Sequence, residues 1–335
     1  MEGRSVGEIV DMASAFYSSA VLFAAITGGV FEAVEKAGSE ATASRIAEDL
    51  KGNPRATTLL LDACVALGLL FKNADTYSNT PAGKMSLLPG SPADLSKAIM
   101  YNRDVYPAWG MLDSFLKTGR PVERPSIHLG ENAERTRTFA LSMRSRAMAI
   151  GRGVVPLLDL GGATRLLDLA GGPGTYAELM VRAFPALSVT TVDLPAISEV
   201  AAGCVREAGL EGRIECRPGN YHSDEYESSA YDAVTIFGAL HQESPADIVA
   251  ILSRANRALK PGGKLYVLDM MTDSTHTAPS FSALFGLNMA LTTENGWVFS
   301  DAELKGWMAE AGFEPGETKK LAPPMPHWLV DAVKR

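Results

Sequence analysis

The sequence predicts an α/β protein: a doubly wound, seven-stranded sheet preceded by a helical segment that ends in a hairpin. Three observations predict it. From Arg165 onward, short apolar runs alternate with helical patterns. Right-handed parallel crossovers turn such alternation into a sheet covered on both faces. The first run, LLDL, passes through a glycine loop (Gly171, Gly172, Gly174) into a helix, and the second, SVTTVD, ends in Asp193. Before residue 95 the order is helix, helix, helix, hairpin, a winged-helix pattern.

Residues 7–36 read as one helix with apolar residues on more than one face (Phe16, Val21, Phe23, Ile26, Val30, Phe31, Val34), the mark of a core or interface helix. Thr42 is placed to cap TASRIAEDL. Asn53-Pro54 opens a third helix, a cap followed by proline at the first helical position, and Gly68 closes it. LLFKNADTYSNT reads as a hairpin turning at Asn73–Asp75. Residues 92–150 read as connecting helices broken by TGRPVERPS (118–126). The strands then fall at 165–170, 188–193, 213–217, 231–237, 263–270, about 313–319 and 327–333, the last antiparallel because the final two runs lie close together.

Composition narrows the function. The chain has 335 residues, 46% hydrophobic and 21% charged, enough for two globular domains. A net charge of −8 disfavours non-specific nucleic-acid binding. The winged-helix segment mixes Arg45, Lys51 and Arg55 with Glu48, Asp49 and Asp62, so few cations are left to meet phosphates. No run reads as the roughly 18 consecutive apolar residues that span a bilayer, and MEGRSVGEIVDMAS has no signal-peptide pattern, so a cytoplasmic location is expected. Cys64, Cys204 and Cys216 are scattered and odd in number, as reduced thiols are.

The glycine loop and Asp193 make a nucleoside-binding device: glycines let the backbone approach the ligand, and the acid accepts from ribose hydroxyls. GPGTYA (172–177) formally matches a dinucleotide fingerprint. Three features point away from NAD. Asp168 ends the first strand, where it can face the cationic amino-acid end of a ligand, directly or through water. Gly219-Asn220-Tyr221 after the third strand suits an adenine edge and face. ALKPGGKL (258–265) is a helix stop, turn and strand restart.

In order, LLDLAGGPGTY, TVDLP, RPGNY, YDAVTIFGALHQE, ALKPGGKLYVLDMM, ALFGLNMAL and AEAGF resemble class I S-adenosylmethionine-dependent methyltransferases, and more narrowly the two-domain small-molecule O-methyltransferases of caffeate and bacterial natural-product type. The resemblance implies a Rossmann-like sheet in a catalytic domain (151–335), connecting helices (96–150) and an N-terminal, all-helical winged-helix dimerisation domain (1–95). It implies S-adenosylmethionine as cofactor, a small-molecule acceptor and a homodimer. Ala170 stands where the family has its first loop glycine, and Gly171, Gly172 and Gly174 match the rest. Asp193 then holds the ribose, Leu194 borders the adenine, and Asn220 and Tyr221 replace the usual Asp and apolar residue. Phe237 stands where a Lys is frequent, so any cofactor contact there comes from backbone.

His241 matches the family's general base, at the end of the fourth strand where open α/β sheets place their chemistry. A phenol attacks best as phenolate, and histidine as a residue type takes protons near neutral pH. Asp269 matches the Glu that orients that histidine, and its shorter side chain predicts a looser or water-bridged pair. Gln242 replaces an Asp, and Val298 falls where a second orienting Glu is expected. Met143 and Met289 match methionines that pack a flat acceptor. Phe139, Phe285 and Trp109 are further lining candidates. Arg146, with Arg144 nearby, suits a carboxylate on the acceptor. No metal is expected: Met270-Met271 replaces the Asp-Asn of magnesium-dependent relatives, and the five histidines lack ligand spacing. The rivals are carbon or sulfur methylation on the same fold, a nicotinamide enzyme, and a winged-helix regulator.

Overall fold

The computed structural model describes residues 3–91, 93–123, 130–323 and 325–335, so part of the TGRPVERPS break and His128 lie outside the described residues. Contacts divide the chain into two units, Met1–Arg103 and Asp104–Arg335.

In the first unit the helix expected over 7–36 is three helices: α1 (Val6–Ser14), α2 (Phe16–Thr27) and α3 (Val30–Ala37). The break before α3 falls at Gly28-Gly29, where Gly29 takes a left-handed φ of 69°. Thr42 caps α4 (Ala43–Asp49), its hydroxyl accepting from Arg45 N–H, and Asn53 caps α5 (Pro54–Ala66) in the same way from Ala56 N–H. β1 (Leu70–Asn73) and β2 (Thr76–Asn79) form the hairpin, so the unit carries a small sheet beside its helices. α6 (Pro81–Leu87) follows. Phe31, Ile46, Leu61, Cys64, Leu70 and Tyr77 fill the core. Arg45 is paired with Asp49 and Lys72 with Asp62, which leaves those cations engaged.

The outer face of α1 and α2 corrects one expectation. Val6–Thr27 is a stretch of 22 residues with hydropathy 1.7, long and apolar enough to cross a membrane by length and composition, and only 11% of it is buried. Glu8, Asp11 and three serines interrupt the apolar residues while the average over the stretch stays high, so a search for consecutive apolar residues misses it. Val6, Ile9, Val10, Met12, Phe16 and Tyr17 are all more than half exposed.

The second unit opens with the end of α7 (Ser96–Trp109), then α8 (Leu112–Thr118) and the long α9 (Ala133–Val154). Its strands are β3 (Arg165–Leu169), β4 (Ser188–Asp193), β5 (Ile214–Pro218), β6 (Tyr231–Phe237), β7 (Leu259–Asp269), β8 (Phe313–Lys320) and β9 (Trp328–Lys334). The order across the sheet is β5-β4-β3-β6-β7-β9-β8, with β9 the one antiparallel member. α10 (Thr175–Ala183), α11 (Pro195–Glu207) and α12 (Pro245–Ala258) make the crossovers, and α13 (Ser280–Thr292) and α14 (Asp301–Glu310) follow β7. β3 runs between β4 and β6, so strand order reverses there and a crevice opens beyond the carboxyl ends of these strands. The KPGG turn is absorbed into β7 as a register shift opposite Tyr231–Ala233. One core layer packs beneath α12 and α14 and the other beneath α9 and α10.

Asp232 ties the opposite rim of this sheet. It accepts from the N–H groups of Thr164 (2.9 Å) and Arg165 (3.0 Å) and from Lys260 Nζ (2.5 Å). Burial opposes ionisation, but Lys260 and the backbone donors outweigh it and hold the carboxyl well below the usual range. A lowered pKa stabilises the fold above the ordinary Asp value and loses that effect as pH falls below it. Asp232→Ala is expected to cost about 1–3 kcal/mol at pH 7. Urea denaturation at pH 7 and pH 3.5 checks this, and a cost that does not shrink at the lower pH contradicts the assignment.

Candidate active site

The glycine loop between β3 and α10 closes over buried acids. Asp168 is fully buried; its Oδ1 accepts from Thr235 (2.7 Å) and its Oδ2 from Thr191 (3.3 Å). Burial pushes its carboxyl up to about 7, opposed by the two hydroxyls and assisted by the charge of Asp193. Gly171 lies directly on these groups: a Cβ there would stand 1.8 Å from Thr191 Oγ1 and 2.5 Å from Asp168 Oδ2. Ala170 is left-handed, with φ 55°, as are Gly172 and Gly174. An alanine therefore occupies a conformation that glycine adopts without strain.

Asp193 accepts from Gly172 N–H (2.8 Å) and Leu194 N–H (2.7 Å), one bond to each carboxylate oxygen. One lone-pair direction on each oxygen stays open toward a ligand. Thr175 Oγ1, at the first helical residue after the loop, is buried without a hydrogen-bond partner. A glycine loop with no room for a side chain at Gly171, an acid with spare acceptor capacity and an orphaned hydroxyl together fit a bound nucleoside with a polar tail.

Asn220 turns its Oδ1 onto His222 N–H (2.9 Å), holding the loop after β5. Tyr221 donates to Glu243 Oε1 (2.7 Å), which bridges that loop to the segment carrying His241. Burial first, then the Glu243 carboxylate, pushes the Tyr221 phenol well above its ordinary range. Phe237 packs edge-on against Tyr176 in the core, 5.0 Å between centroids.

His241 sits in a 3-10 turn (Leu240–Gln242) just after β6 and is 6% exposed. Its Nδ1 lies 2.6 Å from Asp269 Oδ1, and its backbone N–H donates to Asp269 Oδ2 at 3.2 Å. The pair is direct, not loosened by the shorter acid, because the turn draws the histidine backbone onto the end of β7. Met270 N–H also donates to Asp269 Oδ1 (2.8 Å), which fixes the carboxylate. Phe285 meets the imidazole edge-on at 5.2 Å. Phe285, Met289, Met270 and Val298 form one apolar cluster beside it.

The sequence reading missed several partners. Trp297 donates its N–H to the His241 carbonyl (2.9 Å) and its indole N–H to the Glu243 carbonyl (2.9 Å). It braces the histidine segment next to Val298, where a carboxylate was expected. Trp109 donates to Asn288 Oδ1 (2.9 Å), a polar residue inside an otherwise apolar helix, which is a usable signal. Arg144, grouped with Arg146 as a carboxylate reader, is paired with Glu178 at 2.9 Å. Phe139 packs on α11 with Ala140, Ile197, Val200 and Cys204, while Met143 and Arg146 are half-buried further along α9. Among the described residues no group of three or more His, Cys, Asp or Glu is arranged to hold a metal ion.

A doubly wound sheet with a glycine loop at its switch point and a histidine–carboxylate pair beyond the fourth strand of the sheet is the arrangement that the resemblance to S-adenosylmethionine-dependent methyltransferases implies. Comparison with known proteins gives the family. Residues 124–314 match the O-methyltransferase domain and residues 10–88 the O-methyltransferase dimerisation domain. The chain belongs to the S-adenosylmethionine-dependent O-methyltransferases of small molecules. It is 30% identical over 330 residues to 3-hydroxy-5-methyl-1-naphthoate 3-O-methyltransferase of Streptomyces sahachiroi, covering 97% of this chain and 94% of that one. It is 29% identical to the tetracenomycin polyketide synthesis 8-O-methyl transferase of Streptomyces glaucescens, covering 96% and 95%. The crystal structure of human N-acetylserotonin methyltransferase in complex with S-adenosylmethionine superposes with a TM-score of 0.88 at 25% identity, covering 99% of this chain and 98% of that one. The exposed apolar face of α1 and α2 falls largely within the dimerisation match.

Proposed function

We propose that the enzyme methylates a phenolic or enolic hydroxyl of an aromatic small molecule, with His241 as general base and Asp269 orienting it. The observation that carries this reading is the 2.6 Å contact between His241 Nδ1 and Asp269 Oδ1. Asp269 has no proton of its own to give while ionised, so the bond assigns the hydrogen to Nδ1 and leaves the Nε2 lone pair as the base. Nε2 takes the hydroxyl proton as the oxygen attacks. Bound S-adenosylmethionine supplies an electrophilic methyl on a sulfonium. Phe285, Met270, Met289 and Val298 supply an apolar wall that suits a flat ring and keeps water from the oxygen. The Streptomyces sahachiroi relative, by its name a hydroxynaphthoate methyltransferase, is in keeping with such a ring.

For the cofactor, Gly171, Gly172 and Gly174 cradle the methionine part, Asp193 holds the ribose hydroxyls, and Leu194, Asn220 and Tyr221 line the adenine. Asp168, buried beneath the loop, acts on the ammonium end through its charge. Its raised pKa carries a sign: protonation is favoured in the ligand-free fold, so its contribution to stability is lost as pH rises through about 7. Ionised Asp168 is the form that attracts an ammonium. The affinity for S-adenosylhomocysteine is therefore expected to rise roughly fivefold to tenfold between pH 6 and pH 7.5. Calorimetry checks it; Asp168→Asn flattens the profile, and a flat profile in the unaltered enzyme refutes the role.

Product identity tests the acceptor. Mass spectrometry after incubation with S-adenosylmethionine and matched hydroxy- and mercaptonaphthalenes is expected to show methylation at oxygen. Transfer to sulfur or carbon without transfer to oxygen favours the rival acceptor, which the apolar Val298 in place of a second carboxylate would then explain.

A further inference from the structure

His327 is a second buried histidine beside the His241–Asp269 pair, and nothing described so far uses it. Trp328 stands opposite Asp269 in the antiparallel β7–β9 ladder, so His327 is the first residue beyond the ladder, at the rim that delivers Asp269. Its backbone is fixed: its carbonyl accepts from Leu321 N–H at 3.0 Å. The residue is 6% exposed, and its Nδ1 has no hydrogen-bond partner. Alternation along the strand puts it on the same side as Leu329, whose cluster lies under α9 and α10. α9 carries Met143 and Arg146. The charges of Arg146, Asp269 and His241 act on the ring, in keeping with its place at the rim where β7 and β9 end. Burial, and then Arg146, lower its pKa to about 4, which leaves it a neutral imidazole at physiological pH.

A buried ring nitrogen with no partner costs free energy that an apolar residue of the same size would not. Hydrogen bonding gives no reason for a histidine at this rim, since Nδ1 braces nothing in the fold. A ligand oxygen gives one. A neutral imidazole can carry its hydrogen on Nδ1, and such a donor beside a guanidinium charge matches an oxygen with lone pairs to offer.

We propose that His327 Nδ1, assisted by the charge of Arg146, binds a carboxylate or carbonyl oxygen on the aromatic acceptor, at the end of the ring system away from the hydroxyl that His241 deprotonates. This deepens the proposed reaction and rests on it: the acceptor class becomes a hydroxyarene that bears a carboxylate or carbonyl group. His327 is here a specificity-determining residue that touches the acceptor without taking part in proton transfer.

The test is binding, which needs no methyl transfer and so stands apart from the fate of His241 variants. The full-length protein loaded with S-adenosylhomocysteine is titrated with 3-hydroxy-1-naphthoate and with naphthalen-2-ol, the same ring without the carboxylate. The naphthoate is expected to bind about tenfold more tightly. His327→Ala should remove most of that advantage and leave the affinity for naphthalen-2-ol within about twofold. Asparagine places an amide nitrogen near the position of Nδ1, whereas glutamine reaches toward Nε2. His327→Asn should therefore keep the advantage and His327→Gln should lose it, a contrast that holds even if the alanine variant folds poorly. Equal affinity for the two probes in the unaltered protein, binding of neither, or equal loss of both on substitution overturns the proposal.

Discussion

His241→Ala is expected to lower kcat on a hydroxyl acceptor by about 10²–10⁴-fold, the range removed with a general base, while affinity for S-adenosylhomocysteine stays within about twofold. On the free-energy scale of the barrier this is about 3–5 kcal/mol. The loss is expected on kcat because the proposed base acts while the oxygen gains charge, and the loop and acid proposed to hold the cofactor, Gly171 and Asp193, lie on other strands. The pH profile separates a lost base from a lost shape. Without the imidazole, the acceptor must ionise in solution, and a phenol does so near pH 10. The variant's rate should therefore climb about tenfold per pH unit from 7 to 9. A uniform loss with no such climb would point to repacking around Phe285, which meets the ring edge-on. Asp269→Asn should fall in the same direction, because an amide that donates to Nδ1 moves the imidazole hydrogen to Nε2. An alanine variant that keeps its turnover on phenols would falsify the assignment of His241 as base.

The parts of this site that were legible in the sequence share one property: they are set by neighbours in the chain. The strand ending in Asp168, the glycine loop and the strand ending in Asp193 are written as contiguous apolar and glycine patterns, and the structure places their ends within one strand spacing. His241 and Asp269 each follow an apolar strand, so parallel pairing of β6 and β7 brings them to the same rim. What was not legible depends on register or on backbone groups. Trp297 holds His241 through an N–H that every non-proline residue has, so no residue type announces it. Arg144 and Arg146 are nearly adjacent in sequence, yet Arg144 is taken by Glu178 across the α9–α10 contact. Phe139 faces α11, a direction fixed by how helices pack and not by spacing along one helix. The second of the two breaks that split the first helix had a signal in Gly28-Gly29, but an apolar pattern on several faces masks a change of direction, and the first, at Ala15, carries no such signal.

Gly171→Ala is expected to raise the dissociation constant for S-adenosylhomocysteine at least about tenfold and to destabilise the fold by about 1–3 kcal/mol, the usual cost of forcing a methyl into a filled site. The obstacle is space, not backbone conformation. The added carbon would stand 1.8 Å from Thr191 Oγ1 and 2.5 Å from Asp168 Oδ2, and neither group can step aside. Thr191 and Asp168 are buried and bonded to each other, and Asp168 is bonded again to Thr235. The loop is also tethered, since Gly171 N–H donates to the Val192 carbonyl and Gly171 accepts from Gly174 N–H. Lifting it would pull Gly172 N–H from Asp193, the carboxylate proposed for the ribose. Its neighbour supplies the contrast. Ala170 already carries a methyl at φ 55°, so the cost there is conformational, and Ala170→Gly is expected to leave binding intact. Thr191→Ala removes the nearest obstacle and should recover part of the stability lost in Gly171→Ala, but not all of it, because Asp168 Oδ2 remains under the loop. Thermal denaturation with and without S-adenosylhomocysteine reads both effects. A Gly171→Ala protein that binds the nucleoside as tightly as the unaltered enzyme would mean that the ligand does not rest on this loop.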